Sequence, residues 1–435
     1  MMRIKLFKTR IACLFLLSGI VGPSVAAVRI EQNVRFMQDS VYKPNIKTVL
    51  LYRSGWEMSY PLIDLNSNDK LKLSFDDLDG DIKSYYFTIV HCDANWNESG
   101  LSPAEYIDGF TEDRISDYSH SFNTTFNYTH YNLVFPTENM KPRLSGNYIL
   151  KVYENFDQSS IVFTRRFMIV DRKIKINVAE KRPSVSKFYN TGQKIDFSLE
   201  TQGLALSDPL NELKILVTQN NRWDNALRDI KPSYVSSNHL EYSWDDRIIF
   251  AGGSEFRHFD TKSIHYQSQY VHKIAYEAPY YHFYLYPSEL KQKKLYFFDN
   301  DINGRFLISV SDRDSAENEA DYVYVHFSLP CEEALADGKF YVFGALNYWS
   351  CNKDNEMAYD AASRSYQAKM LLKQGYYNYG YAFVPQGSAQ CDLGYIEGDH
   401  YETENDYSVL VYYHPFNQFY DALVGIETIN SLKTR

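Results

Sequence analysis

Short apolar or alternating runs follow one another along almost the whole chain. In the first part they are "VLLYRSG", "LKLSFDDL", "SYYFTIVHC", "YNLVFP", "GNYILKVY" and "SIVFTRRFMIV", separated by turn clusters such as Asp76 to Asp81. Successive side chains on a strand point to opposite faces, so a period of two marks a half-buried strand and an unbroken apolar run marks one buried on both faces. Convincing helical periodicity is missing. The pattern predicts an immunoglobulin-like β-sandwich over residues 29–172.

The basic segment "DRKIKINVAEKRPSVS" then serves as a crossover. A second β-sandwich is predicted over 173–329 from "IDFSLE", "LKILVTQ", "RIIF", "KIAYEA", "YHFYLYP", "LYFF", "RFLISVS" and "YVYVHFSL". Asn303-Gly304, between Phe298 and Phe306, is a dipeptide that accepts positive φ twice and so predicts a type I′ hairpin with an exposed tip. After Pro330 and a polar stretch, a third sandwich is predicted over 330–425, from "FYVFGALNYWS" through "SYQAKMLLKQGYYNYGYAF" to "YSVLVYYHPFNQFYDALVGI", with a tail over 426–435. The expected fold is all-β: three consecutive sandwiches.

Composition agrees with that class. The 38 Tyr and 27 Phe against 20 Gly and 14 Pro favour strands over disorder. The chain opens with a basic "MMRIKLFKTR", an apolar "IACLFLLSGI" and small residues up to Ala27, the order of a secretory signal peptide, here placed over 1–26. Cys13 lies inside the apolar core without a lipoprotein context, and no later run reaches the roughly 20 apolar residues of a membrane helix. A soluble exported protein without a membrane anchor, monomeric when free, is expected. Removing Arg3, Lys5, Lys8 and Arg10 from a net −10 leaves −14, a charge that does not attract phosphate backbones, so nucleic acid is excluded as a partner. Of the four remaining cysteines, Cys331, Cys351 and Cys391 lie close enough in sequence for one local bridge, while Cys92 reads as a buried free thiol.

Candidate chemistry is sparse. "DNDING", Asp299 to Gly304, looks like the start of a calcium loop, but its twelfth position is Val310 rather than an acid. A polar hairpin tip fits better. His258, Asp260, His265, His272 and His282 fall on different predicted strands, unlike the tight spacing of zinc ligands. "HCDANW" joins His91, Cys92 and Asp93, yet neighbours on a strand point apart, so His91 cannot serve Cys92 as a base; Asp93, Asn95 and Asn97 read as a turn. The acidic pairs Asp76 and Asp77, Asp245 and Asp246, and Glu332 and Glu333 carry no information about distances across a cleft. No catalytic residue, cofactor or metal is expected.

Two resemblances sharpen this reading. "VFGALNYWS", Met357, Tyr366 and "KQGYYNYGYAF" resemble the early-set sandwich family that includes glycogen- and starch-binding modules. That resemblance makes Trp349 the match of an aromatic that stacks on a glucose ring. The loop that should carry a second platform aromatic is "VPQGSAQCDLG", which has none, so Trp349 reads either as half of a sugar site or as a structural residue covering the sandwich end. Over the whole chain after the leader, "FTIVHCDANWNESGLSPAEYIDGF", "SGNYILKVY", "TRRFMIV", "AGGSEFRHFDTKS" and "YVFGALNYW" followed by "LLKQGYYNYGY" resemble the plug protein family of the type 9 secretion system. The resemblance implies a non-enzymatic periplasmic protein. It would bind the outer-membrane β-barrel translocon and keep its pore closed when no substrate is present. The alternative is a secreted glycan-binding protein that uses the C-terminal sandwich.

Overall fold

The computed structural model describes residues 37–434 apart from 245, 314 and 417. The expected leader with Cys13, and Asp245, lie outside the described residues. The chain is all-β and sandwich-type, and its few helices are single turns.

Sheets pair in three places, each pair around its own core. In the first, Ser40–Val41, Ile161–Val170, Gly146–Glu154, Tyr85–Cys92 and Asp113–Ile115 lie side by side, with Leu62–Asp64 parallel to Ile161–Val170. They face a sheet of Ile46–Arg53, Leu71–Asp77, Thr129–Phe135 and Asp117–His120. Aromatic rings fill the space between: Phe75 stacks on Tyr131 at 5.0 Å, and Tyr85 meets both edge-on.

In the second, Lys175–Lys181, Gly192–Glu200, His239–Tyr242 and Tyr234–Val235, with Ile249–Ala251 also on Gly192–Glu200, face a sheet of Leu213–Gln219, Asp406–Tyr413 and Ala422–Asn430. In the third, the strand Gly375–Pro385 carries Arg257–Asp260, Phe306–Ile308 and Gly338–Phe343. It faces a sheet of Val271–Glu277, Tyr280–Leu285, Tyr322–Pro330, Ser365–Lys373 and Ala358–Asp360.

This pairing departs from the boundaries expected at 173–329 and 330–425. Strands read into the second sandwich ("KIAYEA", "YHFYLYP", "YVYVHFSL") lie in the third pair of sheets, and "YSVLVYY" returns to the second beside Leu213–Gln219. The third pair is thus an insertion in the second. Alternation shows that a segment is a strand and which face is buried, but carries nothing about its partner. The expected hairpin is also absent: residues 295–305 form no strand, and Phe306–Ile308 pairs with Gly375–Pro385. Asn303 and Gly304 do take positive φ, 54° and 73°, but Asn303 is only 4% exposed and Gly304 lies under Trp349, so the pair is not an exposed tip.

The three sheet pairs are not strung in a row. The outer face of Ile161–Val170 and Gly146–Glu154 packs Cys92, Trp96, Ile149, Met168 and Val170 against Leu216, Leu410, Tyr412 and Leu423 of the second pair. Burial on both faces explains why "SIVFTRRFMIV" is apolar almost throughout. Cys351 and Cys391 form a disulfide with a Cα separation of 6.7 Å, while Cys92 is a buried free thiol and Cys331 a partly exposed one.

Candidate functional site

The motifs read from the sequence gather where the sheet pairs meet. "HCDANW" ends the strand Tyr85–Cys92 in a tight turn: Asp93 Oδ1 accepts the backbone N–H groups of Asn95 and Asn97, both at 2.8 Å. Trp96, at φ 67°, turns back to meet Trp223 of the second sheet pair at 4.9 Å, and the Arg166 guanidinium lies 4.7 Å over its ring. The Ala94 N–H donates to Asp421 Oδ2 at 2.9 Å, and Asp421 also holds Lys214 and His414. His91 and Cys92 point apart. Burial lowers the His91 imidazole to about 4 and pushes the Cys92 thiol well above its ordinary value. The motif fastens the first sheet pair to the second.

The junction of the first and third sheet pairs is an ion network that no local pattern marks. Asp76 Oδ2 accepts the Tyr322 hydroxyl at 2.6 Å and Lys373 Nζ at 2.7 Å, while His130 Nδ1 lies 2.6 Å from Oδ1. The Lys373 ammonium also sits 4.4 Å over the Tyr128 ring. Burial would raise the Asp76 carboxyl, but Lys373 and His130 outweigh it and hold the group below its ordinary value. Asp77 points the other way, to Asn45, Lys83 and the Tyr85 hydroxyl. Neighbouring acids on Leu71–Asp77 therefore serve opposite faces.

The "GALNYWS" turn closes the centre. Asn347 Nδ2 donates to the Val342 and Ser350 carbonyls at 2.7 and 3.0 Å. Tyr348 and Trp349 follow with φ 57° each, a strained pair of left-handed residues. Tyr348 enters the junction under Arg165, whose guanidinium lies 3.8 Å from the ring centre. Trp349 is half-buried among Phe256, Phe343 and Arg222, and a Cβ on Gly304 would stand 2.3 Å from its ring. A cavity of about 430 Å³ beside it is lined by Trp96, Arg165, Arg166, Trp223, Arg305 and Tyr348. Trp349→Ala should lower stability by roughly 2 to 3 kcal/mol in urea unfolding, below the 3 to 5 of a fully buried large aromatic because the ring is only half-buried. Glucan binding abolished by the same change would contradict this packing role.

The other expected residues are not brought together. His282 Nδ1 lies 2.8 Å from His326 Nε2, His272 meets Tyr286 edge-on, and Asp260 pairs with Lys262. His258 lies between Tyr270 and Tyr376, and His265 contributes its backbone N–H to Ser263. Glu332 pairs with Arg364 on the surface. Asp77, Asp79 and Asp81 cluster around Lys83. Asp301 of "DNDING" does join a group of acids, with Glu255 and Glu404. Burial raises Glu255 to about 7 and Asp301 to about 6. Among the described residues, the most exposed Leu and Phe side chains lie elsewhere, Leu295 and Phe297 on one loop and Phe416 and Phe419 on another.

The features described define an all-β, sandwich-type protein whose distinctive residues form junctions between sheet pairs. Residues 46–171, which span the first sheet pair almost end to end, match the family model for the type 9 secretion system plug protein 1st domain. The fold is similar to the crystal structure of a hypothetical protein from Parabacteroides merdae ATCC 43184, with 35% identity and a TM-score of 0.88 over 91% of this chain and 99% of that one. No curated protein matches the sequence. The chain belongs to the type 9 secretion system plug protein family. Membership implies a role in type 9 secretion, interaction with its machinery, and a periplasmic or envelope location; family and fold together point to a non-enzymatic role. Among the described residues, no helix is long and apolar enough to cross a membrane.

Proposed function

We propose that this protein is the periplasmic plug of the type 9 outer-membrane translocon, closing the pore of that β-barrel when no substrate occupies it. The match of residues 46–171 to the plug family's first domain carries the reading. Its architecture supports the mechanics. A stopper must keep its shape against a pore wide enough for folded substrates. Three sandwiches joined by linkers would flex, whereas here each sheet pair is fastened to the other two through Trp96 and Trp223, Asp76 and Lys373, and Arg222 and Trp349. We take residues 37–171, 172–251 with 403–434, and 252–402 as the three units.

No chemistry is assigned to the chain, in keeping with a neutral buried His91 and a protonated Cys92. The protein is periplasmic and monomeric when free. The translocon contact uses exposed apolar loops such as those of Leu295 and Phe297 or Phe416 and Phe419, side chains suited to the apolar centre of an interface. A glycan-binding role is less well supported, because Trp349 is packed into the junction and Tyr348 lies under Arg165. An affinity pull-down from detergent-solubilised envelopes tests the reading. A very large outer-membrane β-barrel should dominate the eluate, and its absence with folded bait would overturn the proposal.

A further inference from the structure

Both stretches of chain that connect the second and third sheet pairs carry an acid to the same point, one fully and one partly buried. Glu255 lies on the outward crossing, between Ile249–Ala251 and Arg257–Asp260, and Glu404 on the return, just before Asp406–Tyr413. Asp301 reaches them from the loop ahead of Phe306–Ile308, and one carboxylate oxygen from each of the three lies within 4.8 Å of the others.

The hydrogen bonds around this group leave oxygen atoms over. Glu255 Oε1 accepts the Tyr296 hydroxyl at 2.5 Å and the Glu404 N–H at 3.1 Å, but Oε2 is buried with no partner, on a residue only 2% exposed. Asp301 accepts the N–H groups of Asn303 and Phe256. Asn303, 4% exposed, donates through Nδ2 to Glu404 Oε1 at 3.1 Å, and the Oδ1 of that same amide is also buried without a partner. An acidic group alone would be unremarkable on an acidic protein. Here Glu255 carries a buried carboxylate oxygen without a partner, and the amide that faces Glu404 through its nitrogen has its own oxygen buried and unpaired. Lys291, the nearby ammonium, is engaged with the Glu255 backbone carbonyl at 2.9 Å.

We propose that Glu255, Asp301 and Glu404, joined by the Asn303 oxygen once that amide turns over, form a calcium site that clamps the two crossings between the second and third sheet pairs. The donors are all oxygen, with neither imidazole nor thiolate, which selects a hard cation. Calcium tolerates an irregular set of carboxylate and amide oxygens completed by water, whereas magnesium requires near-octahedral geometry. The "DNDING" loop thus supplies one carboxylate and one amide to a site whose other ligands lie far away in sequence, so no contiguous calcium-loop spacing marks it. The inference is independent of the plug reading.

The test uses the full-length mature protein, stripped with EDTA and returned to calcium or magnesium. Calcium at about a hundred times its Kd should raise Tm by about 2 to 4 °C, and magnesium by less than half as much. Terbium luminescence excited through tyrosine should report binding. Glu255→Gln should abolish both signals without lowering Tm in EDTA, since it also removes like-charge repulsion; Asp301→Asn should abolish them too, at some cost in Tm, because its amide nitrogen would face the N–H of Asn303 or Phe256. Glu404→Gln serves if either fails to fold. Asp79→Asn, in the acidic group around Lys83, should leave both signals intact. Absence of a calcium shift, an equal magnesium shift, or a calcium shift that survives both substitutions would overturn the site.

Discussion

A strain lacking this protein should have a leaky outer membrane and still secrete. A stopper supplies neither force nor chemistry to transport, so its loss leaves substrate export largely intact. An unblocked channel sized for folded proteins, however, admits solutes that porins exclude. Sensitivity to a large antibiotic such as vancomycin should rise sharply while the yield of secreted protein stays close to wild type. The two readouts separate the possibilities. Unchanged permeability would remove the plug proposal, and abolished secretion would show a working transport component instead. A variant that folds but lacks apolar side chains at Phe416 and Phe419, both exposed, should reproduce the leak if that loop seats the protein.

The largest single-residue effect on stability should come from Lys373→Met. Its ammonium and the Asp76 carboxylate are almost completely buried, 2.7 Å apart. Removing the cation leaves a carboxylate in a dry junction with only His130 and Tyr322 to hold it, which should cost roughly 3 to 5 kcal/mol in urea unfolding. The double change Asp76→Leu with Lys373→Met removes the stranded charge, and should recover much of the loss. A cost under about 1 kcal/mol for Lys373→Met would mean that water reaches the junction. The same pair sets an acid limit. Because the Asp76 carboxyl is held below its ordinary value, its stabilising contribution is complete above the unfolded-chain pKa near 3.9 and is lost as the pH falls through the lower folded value. Stability should therefore drop on acidification below about pH 4, and a Lys373→Met variant should show a weaker drop.

Local pattern carried the strands and stopped at their partners. "GNYILKVY" and "SIVFTRRFMIV" were legible because alternation and continuous apolarity record how many faces are buried. The opposed faces of His91 and Cys92 followed from strand geometry alone. By contrast, Tyr407 to Tyr413 reads equally well beside any buried strand, and only the fold places it next to Leu213–Gln219. Lys373 gave no signal, since its partner Asp76 is 297 positions away. The resemblance of "GALNYWS" to sugar-binding turns identified a special backbone but not its use: the left-handed Tyr348 and Trp349 are directed into the packing between sheet pairs.

The insertion of one sheet pair inside another also fixes an order of events. As the chain emerges from its N-terminus, the strands of Lys175–Lys181 to Ile249–Ala251 appear early, but the sheet that must cover them is completed only by Asp406–Tyr413 and Ala422–Asn430. The inserted unit, contiguous in sequence, can close first. Until the last strands arrive, Ile195, Phe197, Leu199 and Leu240 have no cover from Val409, Val411 and Val424. Half-built intermediates with an uncovered apolar sheet are the species that aggregate or recruit chaperones. A nascent chain stopped even thirty residues early would hold two finished units and one open sheet, so quality control of this protein falls on its final strands.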